Sequence, residues 1–157
     1  MTFDFNHFCE QYDALAKRHS LPLFAVLNND FELEKISQES ITVLRVVRKT
    51  MMEKIFNLLN FLEMILNPVN APRTYLPYIK VMTNDHRKII DKLYGTFGKL
   101  TLRALPLEVN YTEKREAIMI KDIYGVWLDV KPELAEIMEQ IAIPIDGLAK
   151  KERSYYG

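Results

Sequence analysis

Glycine is scarce in this chain, with five in 157 residues. Sheets joined by tight turns consume glycine at positions of positive φ, whereas helix interiors avoid it. The shortage argues against a turn-rich β architecture and for long helices. Cysteine is rarer still: Cys9 alone excludes a disulfide framework within one chain and a multi-cysteine zinc site, and a reducing cytoplasm is the expected setting. Neither sign of charge is in excess, because 21 basic and 21 acidic residues cancel. A dedicated nucleic-acid binder carries a basic face and a high pI, and a charge-driven disordered chain carries a large imbalance. Neither is expected, although a local basic patch fits inside a neutral total. No apolar run reaches membrane length. The most apolar stretch, 55–66, contains Asn57, Asn60 and Glu63, whereas a bilayer core requires about 20 apolar residues. The first residues carry acids and no basic run ahead of an apolar core, so a secretory signal is not expected.

What is present is the composition of an ordinary globular protein, 48% apolar and 27% charged. A chain of this length buries roughly 70% of its unfolded surface without metals or disulfides. With no internal repeat and no Ser/Gly linker, the expectation is one all-α domain over 1–157, a bundle of four to five helices with a loosely ordered tail at 144–157. Pro22, Pro68, Pro72, Pro77, Pro106, Pro132 and Pro144 read as its punctuation.

The spacing predicts a first helix over 4–19, where Phe5, Phe8, Tyr12 and Leu15 recur at three and four residues and Thr2 or Asp4 caps the start. The strongest pattern follows. Leu44, Val47, Met51, Ile55, Leu58, Leu62 and Ile65 form one face of a helix that Ser37 or Ser40 starts and Asn67-Pro68 ends. Val43, Leu59, Phe61 and Leu66 widen its apolar arc to about 180°, more than the stripe of a surface helix, so neighbours are expected on two sides. A short helix over 73–80 precedes a third long one over 83–104, capped by Thr83 or Asn84 and ended before Pro106. Leu105, Leu107, Val109 and Tyr111 then alternate with polar residues or proline. That pattern predicts an extended connection or short β-hairpin somewhere in 105–122, with a helix over 112–128 opened by a capping box from Asn110 to Glu113. Pro132 fits the first turn of a last helix, 131–141.

Catalytic and cofactor signatures are mostly decoys. Gly95 to Thr101 imitates a phosphate-binding loop, but two residues rather than four separate its glycines, and Leu100 stands where a hydroxyl is required. Gly95 and Gly98 read better as a small-residue notch on one helix side. Asp4, His7 and Glu10 share helical spacing but lack the second helix that a carboxylate metal site needs. No metal and no cofactor is expected. Cys9, beside Phe8, reads as a buried inert thiol. The run Arg45, Arg48, Lys49, Lys54 is interrupted by Glu53 and lacks interleaved aromatics, so it is a weak nucleic-acid signal. Arg48 and Lys54 also fall inside the apolar arc. Either their methylenes lie along apolar surface with the charge in water, or they pair across a helix interface with an acid such as Glu10, Asp91 or Glu116.

His86 is the one candidate for chemistry. It lies between Met82 and Ile89/Ile90, where a core histidine with one satisfied nitrogen, a pocket residue and an exposed helix end are the readings in play. The preferred functional expectation is a helical bundle acting through protein contacts as a homo-oligomer, with Arg48, Met51, Met52, Gly95 and Gly98 as interface candidates and Tyr155-Tyr156 docking on another subunit. The expectation leans away from an enzyme. A ligand-binding or enzymatic bundle with a pocket near His86 is the alternative, and nucleic-acid association through Arg45 to Lys54 is the weaker one. No membrane partner is expected, and the sequence assigns no small-molecule ligand.

Overall fold

The computed structural model describes residues 3–38 and 40–155, the side chains of 70 and 143–155 excepted. Among the described residues there are six α-helices: α1 (Phe5–His19), α2 (Phe24–Phe31), α3 (Val43–Leu66), α4 (Leu76–Val81), α5 (Asn84–Val109) and α6 (Glu113–Tyr155). Short 3-10 turns lie at Leu33–Lys35, Pro68–Asn70 and Arg73–Tyr75. No strand occurs among the described residues. The class is all-α, with six helices rather than four to five.

Asp4 caps α1, its carboxylate accepting from the His7 backbone N–H at 3.1 Å. Ser20 ends α1 and Glu32 ends α2, both in the left-handed region at φ 54° and 53°. Such positions usually fall to glycine, and other residues adopt them at a cost of about 1 kcal/mol. In a glycine-poor chain, serine and glutamate do the work. Eight-residue α2 is too short for its period to stand out, although Phe24, Leu27 and Phe31 are buried at spacings of three and four.

Pro106 does not end α5, and the extended segment expected near 105–111 is absent. Ile90, Leu93, Phe97, Leu100, Ala104 and Leu107 are all buried, stepping by 3, 4, 3, 4 and 3 straight through the proline. The alternation that suggested a strand is not a buried face, because Leu105 and Val109 are exposed. Leu102, whose carbonyl loses its donor to the proline, is also exposed, so water can take up that acceptor. Pro132 likewise opens no new helix. It lies inside α6, whose buried Ile120, Ile123, Trp127, Val130, Leu134, Ile137 and Ile141 keep a 3–4 alternation throughout. Thr112 rather than Asn110 caps α6, its hydroxyl accepting from the Arg115 N–H at 3.3 Å. Helical backbone continues to Tyr155. The side chains of 143–155 in the expected loose tail, Tyr155 of the Tyr155-Tyr156 pair among them, and Tyr156 itself lie outside what the structure describes.

The chain forms two compact units. The first comprises Met1–Phe56 and Lys99–Trp127. There, Phe24 receives edge-on contacts from Phe5, Phe8 and Tyr12, its backbone N–H donates to Asp13, and the Tyr12 hydroxyl donates to the Pro22 carbonyl. The second comprises Asn57–Gly98 and Leu128–Gly157. Phe61 packs on Tyr75 and Tyr78, and Lys92 pairs with Glu133 at 2.8 Å.

Gly95, Gly98 and Gly125 lie in helix interiors, and a methyl group added at any of them meets nothing within 4 Å. A helix-interior glycine costs roughly 0.5–1 kcal/mol relative to alanine. Gly95→Ala and Gly98→Ala are therefore expected to raise the urea midpoint, each by the equivalent of that gain. A lowered midpoint would mean that another surface occupies the notch.

Candidate functional site

In the first unit, α3 buries Leu44, Arg48, Met51 and Ile55 at steps of 4, 3 and 4, and α6 buries Glu116, Ile120, Ile123 and Trp127 at the same steps. A cation and an acid thus occupy positions where the helical pattern calls for apolar side chains. Arg48 is 2% exposed and Glu116 0%. The guanidinium meets the carboxylate in a two-pronged contact, Nε to Oε2 at 2.8 Å and Nη2 to Oε1 at 3.2 Å. Its third nitrogen, Nη1, donates to Glu108 Oε1 at 2.6 Å. The fixed fork of an arginine fits this geometry, which a lysine ammonium cannot reproduce. Glu108 is shared with Lys49 at 3.0 Å. Burial disfavours the charged guanidinium, but the hydrogen bonds and charges of Glu116 and Glu108 outweigh it, so the Arg48 pKa is pushed up. Burial likewise raises Glu108, yet Arg48 and Lys49 together hold its carboxyl below the usual range.

Arg45 completes the cluster. Its Nη2 donates to the carbonyls of Leu107 at 2.9 Å and Glu108 at 3.1 Å, among the last carbonyls of α5, which have no partner within the helix. Its Nε lies 3.8 Å from Glu116 Oε1, and the guanidinium sits 5.8 Å from the centre of the Tyr111 ring. Three cations face two acids. The negative end of α5 takes up the surplus.

The same device recurs twice. Lys54 Nζ donates to the Asp30 carbonyl at the end of α2 and lies 5.2 Å from the centre of the Trp127 ring. Lys121 Nζ donates to the His19 carbonyl at the end of α1, at 3.3 Å. Helices that end without glycine are closed by cations reaching across from other helices.

Above the Arg48 network lies a groove of about 340 Å³. Met52, Phe56, Ala104 and Leu105 form its apolar walls, and Lys49 and Glu108 its charged rim. Beside it, α5 presents Leu102 (67% exposed), Leu105 (55%) and Val109 (82%), with Phe56 of α3 at 49%. Spacings of three and four place the α5 residues on one helix face. A larger cavity, about 760 Å³, is lined by residues that include Phe3, His7, Gln11, Leu15 and Ile41.

Of the sequence-derived interface candidates, Arg48 and Met51 are buried by their own chain, and Met52 shows only its edge in the groove. Gly95 and Gly98 lie in the second unit with open space over them. The basic run is spent within the chain: Arg45, Arg48, Lys49 and Lys54 all hold the partners given above. His86 is half-buried and belongs to a capping box at the start of α5. Its N–H donates to the Thr83 hydroxyl at 3.2 Å, and its Nδ1 accepts from the Thr83 N–H at 3.3 Å. It takes the place usually held by glutamate or glutamine. Cys9 is half-buried, and burial with nearby Asp13 pushes its thiol pKa up, away from thiolate chemistry. Asp4 and His7 serve the cap of α1, and among the described residues no cluster of three or more His, Cys, Asp and Glu is placed to hold a metal. The exposed face Leu102/Leu105/Val109 is not legible in the sequence, because the alternation around Leu105 and Val109 reads as an extended connection or short hairpin.

Comparison with family models, with curated proteins and with solved structures finds no match. Among the described residues, no helix is long and apolar enough to cross a membrane. What this arrangement offers is an exposed apolar surface with a charged rim.

Removing one partner of a buried ion pair leaves an uncompensated charge and costs about 3–5 kcal/mol, whereas replacing both by apolar residues is often neutral or stabilising. Arg48→Met and Glu116→Leu are each expected to lose about that much in urea unfolding, and the double variant to recover most of it. Full additivity of the two losses would show that the pair is not coupled. Glu108 also gives a pH signature. Its lowered folded-state pKa means its contribution is complete above the ordinary glutamate value, about 4.3, and is lost as pH falls through the folded value. The stability gap between wild type and Glu108→Gln should hold near neutrality and narrow toward pH 3, as followed by urea midpoints across that range.

Proposed function

We propose that this protein acts through protein contact, as a homodimer in a reducing cytoplasm, and that the α5 face Leu102/Leu105/Val109 with Phe56 is its contact surface. The observation that carries this reading is the exposure of four large apolar side chains around one groove. A contiguous apolar patch rimmed by charge is a common mark of an interaction site.

A second copy suits the surface because the surface is self-complementary. In a two-fold contact each residue meets its mirror partner. Two α5 helices packed antiparallel about a point near Leu105 set Leu102 against Val109 of the other copy, with the two Leu105 side chains at the centre. The same operation sets Arg103 near Glu108. These two remain partly exposed although each already holds a partner, Asp122 for Arg103 and Arg48 with Lys49 for Glu108. The buried network beneath supports the reading as well, since a contact surface on rigid helices loses little conformational freedom on binding.

Light scattering and sedimentation at low micromolar concentration are expected to show a dimer. Leu105→Glu, on an exposed helix face, is expected to leave stability within about 0.5 kcal/mol and to weaken association at least about 30-fold, the loss of one central anchor worth 2 kcal/mol or more. A wild-type chain that stays monomeric, or a Leu105→Glu chain that dimerises equally well, would overturn the reading.

A further inference from the structure

Arg18, His19 and Ser20 at the end of α1, with Lys114, Ile118 and Lys121 from the opening turns of α6, line a cavity of about 300 Å³ that has no carboxylate among its lining residues. The surrounding charges are not balanced. Among the described residues Glu113 is the one acid paired with the group, with Arg18 at 3.3 Å and His19 at 2.6 Å. Three permanent cations, Arg18, Lys114 and Lys121, therefore face one acid, in a chain whose total charge is zero. Closure of α1 accounts for part of this. Lys121 donates to the His19 carbonyl, and basic residues in the last turn suit the helix's negative end. Lys114 has no such account: among the described residues it makes no hydrogen bond or ion pair, and it stands in the first turn of α6, where a cation is disfavoured. Two or more net positive charges from two helices, a hydroxyl and the apolar side chain of Ile118 converge on one half-open space. Such a space suits a compact dianion with several acceptor oxygens.

We propose that this cavity binds a phosphoryl anion, either inorganic phosphate or the phosphate of a small monoester whose apolar part lies against Ile118. The dianion matches the net charge left after Glu113. Arg18 donates from α1 and Lys114 from α6, and Lys121 and the Ser20 hydroxyl complete the donor set. This site lies on residues other than the α5 contact face and does not depend on self-association.

The test titrates isotope-labelled full-length protein with inorganic phosphate and, separately, with phenyl phosphate, at constant ionic strength against chloride, following the amide signals of Ser20, Lys114 and Ile118. Saturable shifts at these positions are expected with at least one probe. Tighter binding of phenyl phosphate identifies the monoester as the ligand type, and equal affinity identifies phosphate itself. Lys114→Gln, which removes no hydrogen bond or ion pair among the described residues, should weaken binding about tenfold or more, the loss of one hydrogen bond between charged groups. Lys99→Gln makes the same charge change outside the cavity and should leave affinity unaltered. Shifts that stay linear or match those of chloride, or equal weakening by the two variants, would overturn the proposal.

Discussion

Glu116 lies on the buried stripe of α6, at a position where isoleucine or leucine would serve packing better, and its carboxylate must be answered from within the protein. Desolvating an ion costs several kcal/mol even after relaxation, and only good geometry with further hydrogen bonds offsets it. The two-pronged Arg48 contact supplies that geometry. It also places Arg48 where its remaining nitrogen needs an acceptor, which Glu108 provides, and Glu108 in turn draws Lys49. One buried acid thus constrains the local register of α3, α5 and α6 in the first unit. Sliding α3 or α6 by a residue would strand a charge in an apolar core, and sliding α5 would leave a nitrogen of Arg48 without its acceptor. An all-leucine seam would hold helices together without choosing their register so sharply, and fixing register is the best-attested use of buried polar groups between helices.

The same economy explains the neutral composition. Charges here are not only a solvated exterior. Arg45, Lys54 and Lys121 each close the carbonyl end of a distant helix, a task glycine often performs by turning the chain left-handed. Shortage of glycine and use of long-range cations belong together. The cations around the end of α1 exceed what closure requires, and the α5 face beyond the Arg48 network exceeds what folding requires. Those two surpluses are where a role outside the fold has its physical footing.

How much of this was legible in the sequence depended on the kind of signal. Buried stripes were legible, since α1 and α3 follow the spacing of their apolar residues and Asp4 caps where its position suggested. Arg48 stood visibly inside an apolar arc, and Glu116 was among three acids chemically able to meet it. Choosing among them required knowing which helices are neighbours, which is tertiary information. Proline is a poor guide at 106 and 132, because a proline on the exposed side of a helix interrupts it far less than one facing a core. Phase was the better guide, for the 3–4 alternation from Ile90 to Leu107 passes through Pro106 unchanged. His86 misleads for another reason: its place on the apolar stripe is one turn from the helix start, and the cap's demand for a partner at the third position governs its imidazole. Backbone acceptors such as the carbonyls of Leu107 and His19 leave no trace in a sequence, so the roles of Arg45 and Lys121 were invisible there.

Trp127 is the chain's single tryptophan. Its indole is buried against Phe31, with the Lys54 ammonium over its face, and its ring N–H has no hydrogen-bond partner among the described residues. An indole held this way emits from a dry, electrically asymmetric site, and emission colour follows the local field and the arrival of water. The protein therefore carries its own optical gauge at one known place. Light selected for tryptophan reports the α2–α3–α6 junction alone, so loosening there can be told apart from changes elsewhere without attaching any label.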